Sequence, residues 1–479
     1  MTTTAVSSLT YGDDSGQQVI LSPAWYPDAW PSPTKWRTNL TQARVTVRVS
    51  GTSRFGIVYS TSVFSRANVD GELLLPRLGA VAVRAYETEG DWDTTAWTYG
   101  IRPQPGDAGS LLIADLDPSK TYFVEVETTH FPDAQQQTRK FETLREVTTG
   151  LEAGEFWEIT GFITDSGATF NNVTFTETRK RFLILGDSLN SGFITGAAGD
   201  TVIGQRSAST YFASTSTYKP PELFWNHEGA LGGFCRLLID DYCKRNNYRS
   251  VIMNLSRPGQ WQADMGATVK GFHTGNIGAG LYNDFSTRYK FRLQTSQDYT
   301  VAGDWTGGWT PQMVMLGSFA NDGIQRVTEI LIGDPVAPFD PILAVDNNFG
   351  GGSKIRDAVA KRAGPSLINS IRAHWTPSPT VFVFGPTFTD TGSLLGSGVD
   401  LSTRANLEPG FTDSVTYYDF TPTTGADQSW GFYKAIESLT TTIPNNLPAD
   451  GATFSLHPSR AQHEEIRSGF QADFDRLAP

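Results

Sequence analysis

The chain is short of cysteine, of long apolar runs and of positive charge, and each shortage excludes a class of protein. Two cysteines among 479 residues, Cys235 and Cys243, are too few for a disulfide-stapled scaffold. They fall in one predicted helix, separated by about 12 Å along its axis, which is beyond the reach of a disulfide bond. They read as free thiols, and with no ligand cluster beside them they make no metal site. No apolar run is long enough to span a membrane, and the opening MTTTAVSSLT has neither the basic flank nor the apolar core of a secretory signal. The expectation is a chain synthesised in the cytoplasm. A net charge of -12 argues against nucleic acid as a partner, because tracking phosphates needs a basic face.

What is present points to packed globular domains. The length exceeds what one ordinary core organises, so more than one domain is expected. The first 150 or so residues are strand-like. Residues 43–50, Ala-Arg-Val-Thr-Val-Arg-Val-Ser, alternate with the period of a half-buried strand, and 55–61 and 80–86 follow at sandwich-like spacing. Residues 116–126 run from a Pro118 turn into an alternating strand whose first aromatic is Tyr122, the arrangement of a tyrosine corner. Over residues 110–128 this part resembles a fibronectin type III-like sandwich, a likeness of architecture only. Residues 151–180 hold two more alternating runs, at 155–160 and 172–176. They read as a linker, or as a hairpin closing the sandwich.

From about residue 181 the pattern changes to strand alternating with helix, the mark of a parallel sheet. Strands are predicted at 182–185, 250–254, 312–316 and 380–384, and helices near 229–246, 355–374 and 460–475. In the first helix Leu231, Phe234, Leu238 and Tyr242 form an apolar stripe. The last has a capping box, Ser459 with Gln462. Two long polar insertions, 260–310 and 386–450, interrupt the alternation, and loops of that length inside a domain are commonly functional.

The strand ends carry the residues of interest. The first strand runs into Gly186-Asp-Ser188-Leu. The second leads to Gly259, the third to Gly317 and then the Asn321-Asp322 pair, and His457-Pro stands just before the capped helix. A Ser turn, a Gly turn, an Asn-Asp pair and a His-Pro in this order resemble the four blocks of the GDSL, or SGNH, hydrolases, over about residues 181–475. The resemblance implies a three-layer α/β, flavodoxin-like domain at 181–479, following an all-β sandwich at 1–150 and a segment at 151–180. It also implies a serine esterase with no cofactor: Ser188 the nucleophile, His457 the base, and an oxyanion hole from the Ser188 and Gly259 N–H groups and the Asn321 amide. The chemistry asks for these types. A serine hydroxyl needs a base to take its proton, neutral imidazole can accept and return one, and the oxyanion needs preorganised donors.

The departures from the family pattern are specific. Extra residues separate Gly317 from Asn321, and the position three before His457, where the family has an Asp, holds Phe454. Asp450 or Asp419 can substitute as the orienting acid, or the site is a Ser–His dyad. Asp187 reads as a helix cap or as a group beneath the turn. Trp261, Trp305 and Trp309 either line a sugar-binding groove or pack a small core of the insertion. His463 reads as exposed. His130, His227, His273 and His374 have no ligand-like spacing, so no metal is expected, and the want of a His/Asp cluster also excludes a metallophosphatase. The Asn347–Gly352 loop has no Lys-Ser/Thr after it and reads as a connector.

The substrate expectation is an acylated small molecule or polysaccharide, chiefly an acetyl ester of carbohydrate, given the sandwich, the aromatic insertions and the absence of a long apolar lid. Lipase and thioesterase activities belong to the same resemblance. The alternative from another class is a phage tail or virion protein that uses the hydrolase fold for attachment, with homo-oligomer or virion assembly. A virion-borne esterase combines the two.

Overall fold

The structure is a computed structural model that describes residues 1–28, 32–38, 40–59, 80–101, 109–129, 157–186, 190, 228–256, 309–317, 375–385, 415–419 and 460–479. The first thirteen strands are β1 (Thr2–Ala5), β2 (Tyr11–Gly12), β3 (Val19–Leu21), β4 (Tyr26–Pro27), β5 (Trp36–Thr38), β6 (Arg44–Ser50), β7 (Arg54–Tyr59), β8 (Val81–Tyr86), β9 (Thr98–Ile101), β10 (Ser110–Asp115), β11 (Thr121–Thr128), β12 (Trp157–Thr164) and β13 (Thr169–Asn171). One sheet has the order β10-β7-β12-β5-β4 with β1 on β12. The other is β2-β3-β6-β11-β8-β9 with β13 on β6.

Alternation builds the core between these sheets. Val45, Val47 and Val49 of β6, Val124 and Val126 of β11, and Val81 and Val83 of β8 are buried in one cluster with Phe55, Ile57, Trp36, Trp157 and Phe162 of the opposite sheet. Six and seven strands are more than the roughly seven of an immunoglobulin-type sandwich. The fibronectin type III resemblance therefore stays confined to the turn before β11 and does not extend to the strand order. Residues 157–171 are part of both sheets: β12 lies centrally between β7 and β5, and β13 pairs with β6.

The remaining strands, β14 (Thr178–Leu185), β15 (Tyr248–Asn254), β16 (Met313–Gly317), β17 (Thr380–Gly385) and β18 (Val415–Asp419), form an all-parallel sheet in the order β15-β14-β16-β17-β18. Two α-helices are described with it, α1 (Phe234–Arg245), preceded by a 3-10 turn at Gly229–Gly232, and α2 (Arg460–Leu477). The helix expected at 355–374 lies outside the described residues. Strand side chains point alternately to the two faces, and here the alternation sorts them cleanly. Phe182, Ile184, Ile252, Met313, Met315 and Phe382 pack with Phe234, Leu238, Phe470 and Phe474 of the helices. Leu183, Leu185, Met253, Val314, Leu316 and Val381 belong instead to the cluster that contains the sandwich core. Ring contacts fix the helix layer, with Phe382 edge-on to Phe470 and Phe474 at 5.8 and 5.9 Å between centroids.

The outer face of the seven-stranded sheet is polar, yet it is buried against α1 and β15. Register puts Glu125 opposite Arg84 and Glu127 opposite Arg44. Arg84 Nε donates to Glu125 at 2.6 Å, Arg44 Nε to Glu127 at 2.8 Å, Arg249 of β15 pairs with Glu125, and Arg236 of α1 pairs with Glu127. The Ala230 N–H donates to the Thr129 carbonyl at 2.8 Å, and the Gln42 amide donates to the Ala230 carbonyl at 2.8 Å. The two halves are thus joined by charge-assisted bonds rather than by a thin linker.

A second acidic contact sits where the chain crosses between the halves. Glu89 accepts hydrogen bonds from the Thr176 N–H and, at 3.1 Å, from the Thr176 hydroxyl. Burial first, and then a hydrogen bond to Glu89, push the Glu177 carboxyl up to about 7. Between the ordinary carboxylate value of 4.5 and about 7, the folded chain keeps a proton there that the unfolded chain has released, so this group's stabilisation falls as pH rises through that window. Glu177→Gln keeps the donor and removes the charge. It is expected to raise the melting temperature by roughly 3 °C at pH 8 and to leave it unchanged at pH 5, as read by thermal denaturation at the two pH values.

Candidate active site

In an open parallel sheet, chemistry gathers beyond the carboxyl ends of the strands. β15, β14 and β16 are neighbours there. Ser188 follows the end of β14, Gly259 that of β15 and Asn321 that of β16. Ser188, Gly259, Asn321, His457 and Asp450 themselves, with Trp261 and Trp305, lie outside the described residues. What the structure describes is the frame they leave from.

That frame is tight at Gly186, the first residue after β14. A Cβ built there would lie 2.2 Å from Asn190 Oδ1 and 2.3 Å from its Cγ, so the Asn190 side chain occupies the space any other residue would need. Asn190 is fully buried, with its Nδ2 facing Cys235 Sγ of α1 at 3.9 Å, and its carbonyl accepts from Asn254 Nδ2 at 3.3 Å. Asn254 Oδ1 in turn accepts the Ser256 N–H at 3.0 Å, and the Leu255 N–H reaches the Ile184 carbonyl at 2.9 Å. Gly186 and Asn190, the described residues on either side of 187–189 in sequence, are therefore held against each other. Sequence reading passed over Asn190 and Asn254; nothing in the spacing marks a buried amide that braces its own turn. Gly186→Ala must displace Asn190, and it is expected to destabilise the fold by about 1–3 kcal/mol, measured by urea denaturation.

The helix that follows His457 starts at the same end. α2 begins at Arg460, directly after Ser459, and its His463 is wholly buried, correcting the expectation of an exposed side chain. His463 Nδ1 accepts the Phe234 N–H at 3.1 Å, and the two rings stack at 5.9 Å. The physical reason is a bare helix start. Gly233, the N-cap of α1, supplies no side-chain cap, and the ring nitrogen satisfies one of the N–H groups a helix leaves open at its beginning. A neutral ring accepting at Nδ1 carries its proton on Nε2. The contacts thus run from α2 through Phe234 and Cys235 to Asn190, two residues past Ser188.

Asp419 is the last residue of β18, paired in register with Gly385. Three strand spacings separate β18 from β14, roughly 14 Å, so Asp419 ends a strand well removed from β14. Trp309 is 5% exposed and belongs to the same buried cluster as Leu185 and Leu316. That is a core role rather than a flat face offered to a sugar. Both cysteines are buried in α1 as free thiols, and burial holds the Cys243 thiol well above its ordinary pKa, which keeps it protonated and unreactive.

No family model matches the chain, and no curated protein matches it. Among solved structures the chain is similar to a family two carbohydrate esterase from Clostridium thermocellum in complex with cellohexaose. The TM-score is 0.50 at 12% identity, covering 96% of this chain and 98% of that one. It is also similar to a family two carbohydrate esterase from Cellvibrio japonicus, with a TM-score of 0.51 at 10% identity, covering 99% and 97%. At such identities the likeness is one of fold, and it extends over nearly the whole length of both chains, sandwich and parallel sheet together.

Proposed function

We propose that this chain is a serine esterase that removes acyl groups, chiefly acetyl, from carbohydrate. Ser188 is the nucleophile, His457 the base, and the Ser188 and Gly259 N–H groups with the Asn321 amide stabilise the oxyanion. The observation that carries the reading is the shared edge. Ser188, Gly259 and Asn321 follow in sequence the carboxyl ends of three adjacent parallel strands, and the helix that follows His457 in sequence packs against α1. The domain is read as the three-layer α/β fold of the SGNH hydrolases, and carbohydrate as the substrate follows from the likeness in fold to the carbohydrate esterases. For the acid behind His457 we favour a dyad or Asp450, since Asp419 starts three strands away.

A serine-directed fluorophosphonate probe tests the assignment. Labelling of the folded chain at Ser188, located by mass spectrometry, is the expected result, together with acetate release from an O-acetylated polysaccharide. A folded chain that takes no label and releases no acetate overturns the enzyme reading and leaves a binding protein. A panel of acetyl, butyryl and long-chain esters then separates a deacetylase from a lipase.

A further inference from the structure

Several buried guanidinium groups are crowded between the two halves, and a small cavity lies among them. Glu125 and Glu127 face four guanidinium groups, those of Arg44, Arg84, Arg236 and Arg249. Asp240, partly exposed, takes Arg236 Nε at 2.7 Å, Glu177 is a further acid near Arg249, and Arg179 pairs with Asp14. Burial, and the neighbouring Arg44 and Arg249, hold the Arg84 guanidinium below its ordinary pKa even though Glu125 opposes them, as crowded like charges do. The cavity is about 30 Å³ and is lined by Arg44, Arg179, Arg249, Ser250, Gln42 and Glu127, with the Phe175 ring beside them.

Several of the lining groups have spare hydrogen-bonding capacity. Arg249 Nη1, Ser250 Oγ and Arg179 Nε are buried donors without a hydrogen-bond partner among the described residues, and Gln42 Oε1 is a buried acceptor in the same condition. Arg249 is 3% exposed, Ser250 5% and Gln42 1%. Buried groups of this kind are costly unless something fills the space and bonds them. The Glu127 oxygens are already committed to Arg236 and Arg44, so the lining offers an occupant chiefly donors.

We propose that this cavity is a binding site for a chloride-sized monatomic anion, held between Arg249, Ser250 and Arg179 among the crowded guanidinium groups at the junction of the two halves. The volume accommodates about two water-sized occupants, which is an anion and one water, the water donating to Gln42 Oε1. A spherical ion accepts from donors that arrive in unrelated directions, as the Arg249, Ser250 and Arg179 donors do. The site is separate from the Ser188 edge, and its existence does not depend on the esterase reading.

The test uses the full chain. Thermal unfolding is followed while sodium gluconate is replaced by sodium chloride at constant ionic strength, from about 1 to about 200 mM chloride. Binding to the folded state alone raises the melting temperature with ligand concentration, so a saturable rise of several degrees is expected. Gluconate is the more stabilising salt by its general effect, so a rise toward chloride is not a bulk-salt trend. Ser250→Ala removes a donor without adding bulk to the cavity, and is expected to lose most of the chloride-dependent rise. A crystal soaked in bromide is expected to give an anomalous peak beside Arg249 Nη1. Equal melting in both salts, a rise of the same size in Ser250→Ala, or a bromide-soaked crystal with no anomalous peak there would each overturn the site and leave a cavity filled with water.

Discussion

Ser188→Ala is expected to fold normally and to lose roughly 10⁴–10⁶-fold in kcat for acetyl ester hydrolysis, the range seen when the nucleophile of a serine hydrolase is removed. The size of the loss follows from the chemistry. Without the hydroxyl no acyl-enzyme forms, and only binding and oxyanion stabilisation remain to assist water. His457→Ala is expected to cost about as much, because a base with nothing to deprotonate and a hydroxyl with no base fail at the same step. The double variant is then expected to be no worse than either single one. That non-additivity distinguishes a working pair from two residues that contribute separately. Asp450→Asn adds a finer reading. A loss of about 10⁴-fold marks it as the group that fixes the ring's tautomer, and a change of only a few-fold identifies a dyad. Acetate release from O-acetylated polysaccharide measures all four variants, and release by Ser188→Ala equal to that of the unaltered chain ends the assignment.

The parallel sheet was legible because buried strands are short continuous apolar runs stopped by turns, and each of the four runs read from the sequence is a strand in the sheet. The apolar stripe at Leu231, Phe234, Leu238 and Tyr242 is buried as expected. The helix divides at Gly233, however, so that Leu231 lies in a 3-10 turn. What the sequence hid was partnership across distance. His463 reads as a surface residue until a bare helix start, more than two hundred residues earlier in the chain, needs an acceptor. Glu125 and Glu127 alternate with Val124 and Val126 as a solvent face would, and only the docking of α1 and β15 buries them. Asn190 reads as one polar residue in a turn, and its role appears once Gly186 is found pressed against it. Each of these is a polar group satisfied by a distant or geometrically contingent neighbour, and local period carries no record of that.

Glu125→Ala is expected to destabilise the chain by roughly 3–5 kcal/mol, the cost of stranding a buried charge after removing its partner. Glu125 is fully buried and meets Arg84 at 2.5 Å as well as Arg249, so the alanine would leave two guanidinium groups facing each other with no carboxylate between them. The exposed pair of Lys120 and Glu87 provides the contrast, since Lys120→Ala removes a contact screened by solvent and is expected to leave the midpoint nearly unchanged. Urea denaturation of both variants checks the difference. A Glu125→Ala midpoint no lower than that of Lys120→Ala would mean the network does not hold the two halves together. The same network sets the response to acid. Burial alone would raise the Glu125 carboxyl, but Arg84, Arg249 and Arg44 outweigh it and hold the pKa well below the ordinary 4.5. Its stabilisation is therefore complete above the unfolded value and drains away as pH falls below about 4.5. Acid is thus expected to loosen the contact of sheet, α1 and β15, and in Glu125→Ala, which has no such proton to take up, stability is expected to fall less steeply between pH 5 and pH 3.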